Sequence, residues 1–252
     1  MKYQAPSVKK AFRVLRLISD ADHGLRISEL AKSLGISKGT IHGITSALEE
    51  VGAVNRDPVT KRYKIDYTIV ELGKKALSKV PLRKVARRHM EWLVEEVGDN
   101  AFLGIRKGHH ILILDVAESN KALKVTSPSG AMIPLSAGAT GKLLLASMDK
   151  KSALRYLKAG GLLRYTEHTI TDLESYLQEI REARKKGFAT DYEEYLHGVR
   201  AVAALIETEE PLSAAIWVVG FSSSLTDDRV KFVIERTLAA ADAISRDLRR
   251  SK

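Results

Sequence analysis

Between residues 8 and 65 the apolar positions recur three times at helical spacing, then switch to alternation. In VKKAFRVLRLISD, Ala11, Val14, Leu15 and Ile18 fall at i, i+3, i+4 and i+7, one face of a helix over 8–20. Ser7 is placed to cap it, and Lys9, Lys10, Arg13 and Arg16 lie largely off the apolar face. LRISELAKSLG predicts a shorter helix, with Ser28 as cap, Leu30, Ala31 and Leu34 as the apolar side, and Gly35 as the stop. ISKGTIHGITSALEEVG predicts a third helix, capped by Ser37, burying Ile41, Ile44, Leu48 and Val51, and closed by Gly52. Two short helices joined by a tight glycine turn, the second polar in its first turns, form a helix-turn-helix pattern.

After Gly52, AVNRDPVTKRYKID reads as strand, turn and strand, with Asp57-Pro58 opening the turn and Lys61 and Arg62 on its far side. Such a hairpin is a wing that offers cations to phosphate or to the minor groove. The first turns of the third helix would enter the major groove, where each base pair displays its own donor and acceptor pattern. The candidates to read it are Ser37, Lys38, Thr40 and His42; Arg26, Lys38, Lys61 and Arg62 would supply phosphate affinity. Gly39 and Gly43 each weaken the helix by roughly 1 kcal/mol relative to Ala but let backbone approach closely.

Charge distribution agrees with a DNA-binding head. Of the net +10, residues 1–75 carry +6 and the remaining residues +4. A solvated basic surface would give the same total, so the order of helices and hairpin carries the argument. With 44% hydrophobic and 29% charged residues, the 252-residue chain can pack a core and accommodate two domains. It has no cysteine, so disulfides, thiol nucleophiles and thiolate metal sites are excluded. No apolar run approaches the ~20 residues that span a bilayer, and the N-terminus lacks a signal-peptide pattern, so a cytoplasmic location is expected. His109 and His110 are adjacent, in a strand or a loop, and form no metal-ligand spacing.

The remaining residues read as mixed helices and strands. DYTIVELGKKALSKV (66–80) has Ile69, Leu72, Ala76 and Val80 at helical spacing, a linker helix that Pro81 ends. A helix over 83–97 would bury Ala86, Met90, Leu93 and Val97 and end at Gly98. Strands are expected on either side of Gly108, at 122–127, at 200–207 and at 213–219. Helices are expected from 141, over TDLESYLQEIREARKKG with a Thr171–Glu174 capping box, and over 228–248. Without strict β-α alternation, the class is α+β.

Catalytic patterns fail on inspection. GATGKLLL lacks the P-loop glycine, because Ser136 stands there, and Leu143 replaces the hydroxyl that would hold magnesium. GFSSS (220–224) is not a nucleophile elbow, and Asp191, Glu193 and Glu194 are expected to orient a ligand or sit at the surface rather than do acid–base work. No enzyme activity and no cofactor are expected. A purely structural DNA-binding protein would leave two thirds of the chain without a role.

SVKKAFRVLRLI, ISELAKSLGISKGTIHGITSALEEVGAVNRD, KRYKI, IPLSAGATGKLLLAS, REARKKGFATDYEEYLHGVRAVAALI and AADAISRDLRR, in that order, resemble the IclR-type regulators over nearly the whole chain. The resemblance implies a winged helix-turn-helix over 1–66, a linker helix over 67–80, and a GAF/profilin-like mixed α/β domain over 81–252 for effector binding and assembly. It implies double-stranded operator DNA, a small organic effector and a second copy of the chain, as dimer or tetramer, as partners, and no membrane. The effector pocket it implies takes Gly138, Ala139, Thr140, Asp191, Ala201, Trp217 and Val219. Here Ala201 replaces a usual cysteine, Leu205 a usual proline, and Trp217 and Val219 two frequent serines. A pocket so lined would favour an apolar or aromatic acid; alternatively, Trp217 simply fills the space and no effector binds.

Overall fold

A computed structural model describes residues 5–78, 81–208 and 212–250. Val80 of the expected linker helix lies outside them, and of Ala76 only the backbone is described. The chain forms two compact units, dividing between Lys79 and Val80.

The first unit contains α1 (Pro6–Ser19), α2 (Ile27–Leu34), α3 (Lys38–Glu50), β1 (Val54–Arg56), β2 (Tyr63–Ile65) and α4 (Tyr67–Ser78). Val14, Ile18, Leu30, Ala31, Ile41, Val54 and Tyr63 form its core, so each of the three helices and both strands contribute. The start of α1 differs from expectation. Pro6 occupies its first turn, where a missing N–H costs nothing, and Ser7 lies inside the helix. Nor does Ser28 cap α2, which begins at Ile27. Glu29 does this work by accepting the Arg26 N–H at 2.7 Å. Ser37 does cap α3, accepting the Thr40 N–H at 3.3 Å. Val51 is 62% exposed rather than buried, since α3 ends at Glu50 and Thr45 takes the inward position.

The second unit comprises α5 (Pro81–Val97), β3 (Asn100–Lys107), β4 (His110–Ala117), β5 (Met132–Pro134), α6 (Gly138–Ala146), α7 (Lys150–Gly160), α8 (Leu173–Lys186), β6 (Phe188–Tyr192), β7 (Val199–Ile206), β8 (Ala214–Phe221) and α9 (Asp227–Arg250). Its six strands form one antiparallel sheet in the order β5-β4-β3-β8-β7-β6. Strand periodicity sorts the core into two layers. On β8, Ile216 and Val218 alternate with Ala215 and Trp217. The former pair lies on the face covered by α5 and α9, where Ala86, Met90, Leu93, Val233, Ala240 and Ile244 are buried. The latter join Phe102, Leu143, Leu144, Tyr176 and Ile180 under α6 and α8. The class is α+β, with a winged-helix unit and a mixed α/β unit.

Several elements differ from the sequence reading. No strand forms at 122–127; Asn100 Nδ2 donates to Val125 O at 2.9 Å and holds that segment as coil before Pro128, while β5 takes the sheet edge. Pro81 begins α5 instead of marking a gap before it. Asp172, not Thr171, caps α8, its carboxylate accepting the Ser175 N–H at 2.8 Å. The α6 helix starts at Gly138, three residues earlier than expected, and α7 and β6 had no counterpart in the sequence reading.

Candidate functional site

In the first unit, α3 presents Lys38, Thr40 and His42 to solvent, directly after the exposed cap Ser37. The Ser37 and Thr40 hydroxyls share a hydrogen bond of 2.9 Å, which fixes both at the start of the helix. A Cβ added at Gly39 or Gly43 would meet nothing within 4 Å, so this face of α3 is open to close approach. Ser46, one turn beyond His42 and not singled out from sequence, lies with its hydroxyl 3.5 Å from His42 Nδ1.

The wing is braced from within. Asp57 Oδ1 accepts N–H bonds from Val59 and Thr60, which also hold its carboxyl below the usual carboxylate range. Lys61 is exposed at the turn, in the left-handed region at φ 59°. Arg62 is employed differently: its guanidinium donates to both carboxylate oxygens of Glu29, at 3.0 and 3.2 Å, and to Gly24 O at 2.8 Å. Arg26 is exposed, and its Nε donates to Thr60 O at 2.9 Å. Of the four expected phosphate cations, Lys38 and Lys61 have free ammonium groups at the surface among the described contacts. Arg26 and Arg62 spend donors on tying the wing to α2.

In the second unit, Gly138, Ala139, Thr140, Asp191, Ala201, Trp217 and Val219 all line one cavity of about 260 Å³. Strand register explains the convergence of the last four. Asp191 pairs with Ala201 and Ala201 with Val219, so the three form a row across β6, β7 and β8 on one face. Trp217 occupies the neighbouring row, between Ala203 and Phe102. Its indole stacks on the Phe102 ring at 5.5 Å and 11°. A Cβ on Gly104 would stand 2.8 Å from that indole, so glycine at 104 makes room for the large ring. Trp217 thus packs onto Phe102 and Gly104 and lines the cavity. Leu205, the other departure noted in the sequence, packs against the surrounding core and is not a lining residue.

The polar end of the cavity is the start of α6. The first backbone bond of that helix runs from Gly141 N to Ala137 O, so the Gly138, Ala139 and Thr140 N–H groups precede the intrahelical ladder. Gly138 sits at φ 57°, and a Cβ there would lie 2.5 Å from Asp191 Oδ2. Asp191 is 6% exposed; its Oδ1 accepts the Glu194 N–H at 2.6 Å. Burial raises its pKa to about 6, against the lowering effect of that hydrogen bond. Lys142 of the GATGK segment points away from the cavity. It is 1% exposed, and its Nζ donates to Glu194 Oε1 at 2.6 Å, Glu179 Oε2 at 3.0 Å and Thr190 O at 3.1 Å. Those bonds fasten α6 to α8 and β6, a structural role unlike that of a P-loop lysine. Val125, Thr126 and Ser127 of the coil segment, with Tyr195 and Leu196 of the β6–β7 loop, complete the walls. Sequence could not assign them, since no periodicity marks a loop that closes a cavity. Among the described residues no cluster of His, Asp and Glu is arranged to hold a metal ion, and no helix is long and apolar enough to cross a membrane.

The sequence matches the IclR helix-turn-helix domain over residues 7–58 and the bacterial transcriptional regulator IclR C-terminal domain over residues 74–246. The chain belongs to the IclR family of transcriptional regulators. It is 29% identical over 249 residues to the HTH-type transcriptional regulator KipR of Bacillus subtilis, covering 98% of this chain and 99% of that one. An IclR regulator from Alicyclobacillus acidocaldarius superposes with a TM-score of 0.86 at 26% identity, covering 98% of this chain and all of that one. An IclR homolog from Microbacterium hydrocarbonoxydans, crystallised with 4-hydroxybenzoate, superposes at 0.81 with 21% identity, covering 97% of this chain and 99% of that one. IclR-family proteins are transcriptional regulators with a helix-turn-helix domain.

Proposed function

We propose that this IclR-family regulator binds a specific double-stranded operator through α3 and the wing, and that a small aromatic or apolar acid in the second unit modulates the binding. The observation that carries the effector half is the single cavity lined by all seven expected residues, with N–H groups at one end and Trp217, Phe102, Ile113 and Val219 along its walls. A carboxylate would sit at the start of α6, where free N–H groups and the helix dipole favour negative charge. The ring would lie on the indole. Few side-chain donors line the rest, so a small polyhydroxy acid would leave its own groups unpaired. The 4-hydroxybenzoate held by the Microbacterium homolog is a ligand of this chemistry.

In the head, Ser37, Lys38, Thr40 and His42 would read bases, Lys38 and Lys61 would contact the phosphates, and Arg26 and Arg62, also expected there, would hold the wing in place beside them. Residues 1–66 would act as the DNA-binding domain, 67–80 as a linker, and 81–252 as the effector and assembly domain. Two copies would present two heads to half-sites about one helical turn apart. Exposed Val8 and Phe12 on α1 and Tyr67, Val70 and Leu72 on α4 are candidates for the surface between copies. The effector acts by preferring one arrangement of the assembly over another, which sets the head spacing. Such a protein works in the cytoplasm as a regulator and not as an enzyme.

The test is selection of bound sites from a random DNA pool by the purified protein. A palindrome or repeat should be enriched, with roughly 10³-fold or greater preference over random DNA at fixed salt. Weak, sequence-independent binding, with and without aromatic acids, would defeat the operator reading.

A further inference from the structure

The start of α6 already has a carboxylate beside it. Asp191 Oδ2 lies against Gly138, close enough that a Cβ there would be 2.5 Å away. The Thr140 hydroxyl lies on a residue 6% exposed, lines the same cavity, and has no hydrogen-bond partner among the described residues. A donor left unpaired at the end of a cavity, next to N–H groups that precede the helical ladder, is suited to accept an anionic group. An effector carboxylate bound there would face the buried Asp191 at short range, and two like charges so placed do not both stay ionised.

We propose, resting on the acid-effector reading above, that the site takes its ligand as a carboxylate together with one proton, which passes from solvent to Asp191. The cavity is thus a receptor for a weak organic acid in its net-neutral form.

Among the described residues, the groups around Asp191 act in both directions. From the β6–β7 loop, Glu194 adds a second negative charge, while the Glu194 and Tyr195 N–H groups favour the ionised form. From α6, Lys142 is the facing cation, and its ammonium is divided between Glu194, Glu179 and Thr190 O. From α8 come Glu179, paired to that lysine, and Tyr176, whose hydroxyl donates to Ser136 O and whose pKa burial drives well above its usual value. From β7 and β8 the row partners are Ala201 and Val219, and Arg200 is turned to Asp227 at 2.8 Å. A cationic ligand would neutralise Asp191 but would meet the positive end of α6.

The sign follows from the direction of the shift. Burial raises the Asp191 pKa to about 6, so well below that pH the carboxyl is already protonated and binding takes up no proton. Above it, binding must protonate the group, and affinity falls by about tenfold per pH unit.

Titration calorimetry of the full chain with benzoate, in two buffers of different ionisation enthalpy near pH ~7.5, should show uptake of about one proton per ligand. Affinity should be flat below about pH 6 and fall above it, while uncharged benzamide shows no such fall. Asp191→Asn keeps an acceptor for the Glu194 N–H. It should bind benzoate at pH ~8 at least about tenfold more tightly than the parent, without pH dependence. Benzoate binding with no proton uptake and no pH dependence overturns this inference and leaves the acid-effector reading standing. Failure of benzoate and 4-hydroxybenzoate to bind at any pH from about 5.5 upward overturns both.

Discussion

Lys61 and Arg62 are neighbours on the wing with the same charge and different employment. Lys61 is exposed at the turn, and Arg62 is held between Glu29 and Gly24 O. Each phosphate contact contributes close to one unit to the slope of log K against log salt. Lys61→Ala should therefore reduce that slope by about 1 in operator titrations. Arg62→Gln should leave the slope nearly unchanged and act on the head's stability, since it leaves Glu29 without its bidentate partner. An equal slope change for both would show that Arg62 leaves Glu29 on binding DNA. Sequence marks both residues as cations near a turn; only the position of Glu29, more than thirty positions earlier, separates them. The same holds at the cavity. Trp217 is recognisable as an indole in place of a small polar residue, but its companion Gly104 is an ordinary strand glycine until β3 and β8 are laid side by side.

Among the elements, α6 carries most of the functional argument, and Lys142 fixes its position. A buried ammonium with three acceptors is costly to disturb, because its removal leaves Glu194, 12% exposed at the side chain, without a counter-charge. Lys142→Met should lower stability by about 2–3 kcal/mol, less than for a fully buried pair because Glu179 is half-exposed. In a thermal melt of the full chain this is a fall of roughly 4–12 °C in the transition of the second unit. An unchanged melting temperature would mean the two glutamates find water or other donors. Long helices with regular apolar spacing, α3, α5, α8 and α9, were legible because burial on one face imposes a 3.6-residue period. Some short elements were not, although α2 and the wing strands were. The five-residue β6 alternates in burial, but its two buried residues are Ala189 and Asp191, so its apolar residues do not alternate, and in α7 only Ala153 and Leu157 are fully buried. The cap residues of α2 and α8 lie one or two positions from those the sequence predicts, because more than one polar residue stands near each start and the backbone geometry decides which of them caps.

At the scale of the molecule, each unit has its own core, one drawn from residues 14–65 and the other from 82–244. A fragment of residues 81–252 should therefore fold cooperatively and retain benzoate binding while losing operator binding. Circular dichroism melts and calorimetry on the fragment check this. A fragment that is molten would show that the head or the linker is needed to complete the second core. Order along the chain, charge concentrated in the first third, and the helical and alternating periods were determined by the sequence alone. Those features depend on local propensity and on which face each element must bury. They were enough for a winged helix followed by an α+β domain. What only tertiary structure decided is which distant residues meet: Asp191 with Gly138, Trp217 with Gly104, Lys142 with Glu194, Arg62 with Glu29. Strand register and helix docking make those contacts, and they depend on how the whole core packs, which no local spacing encodes.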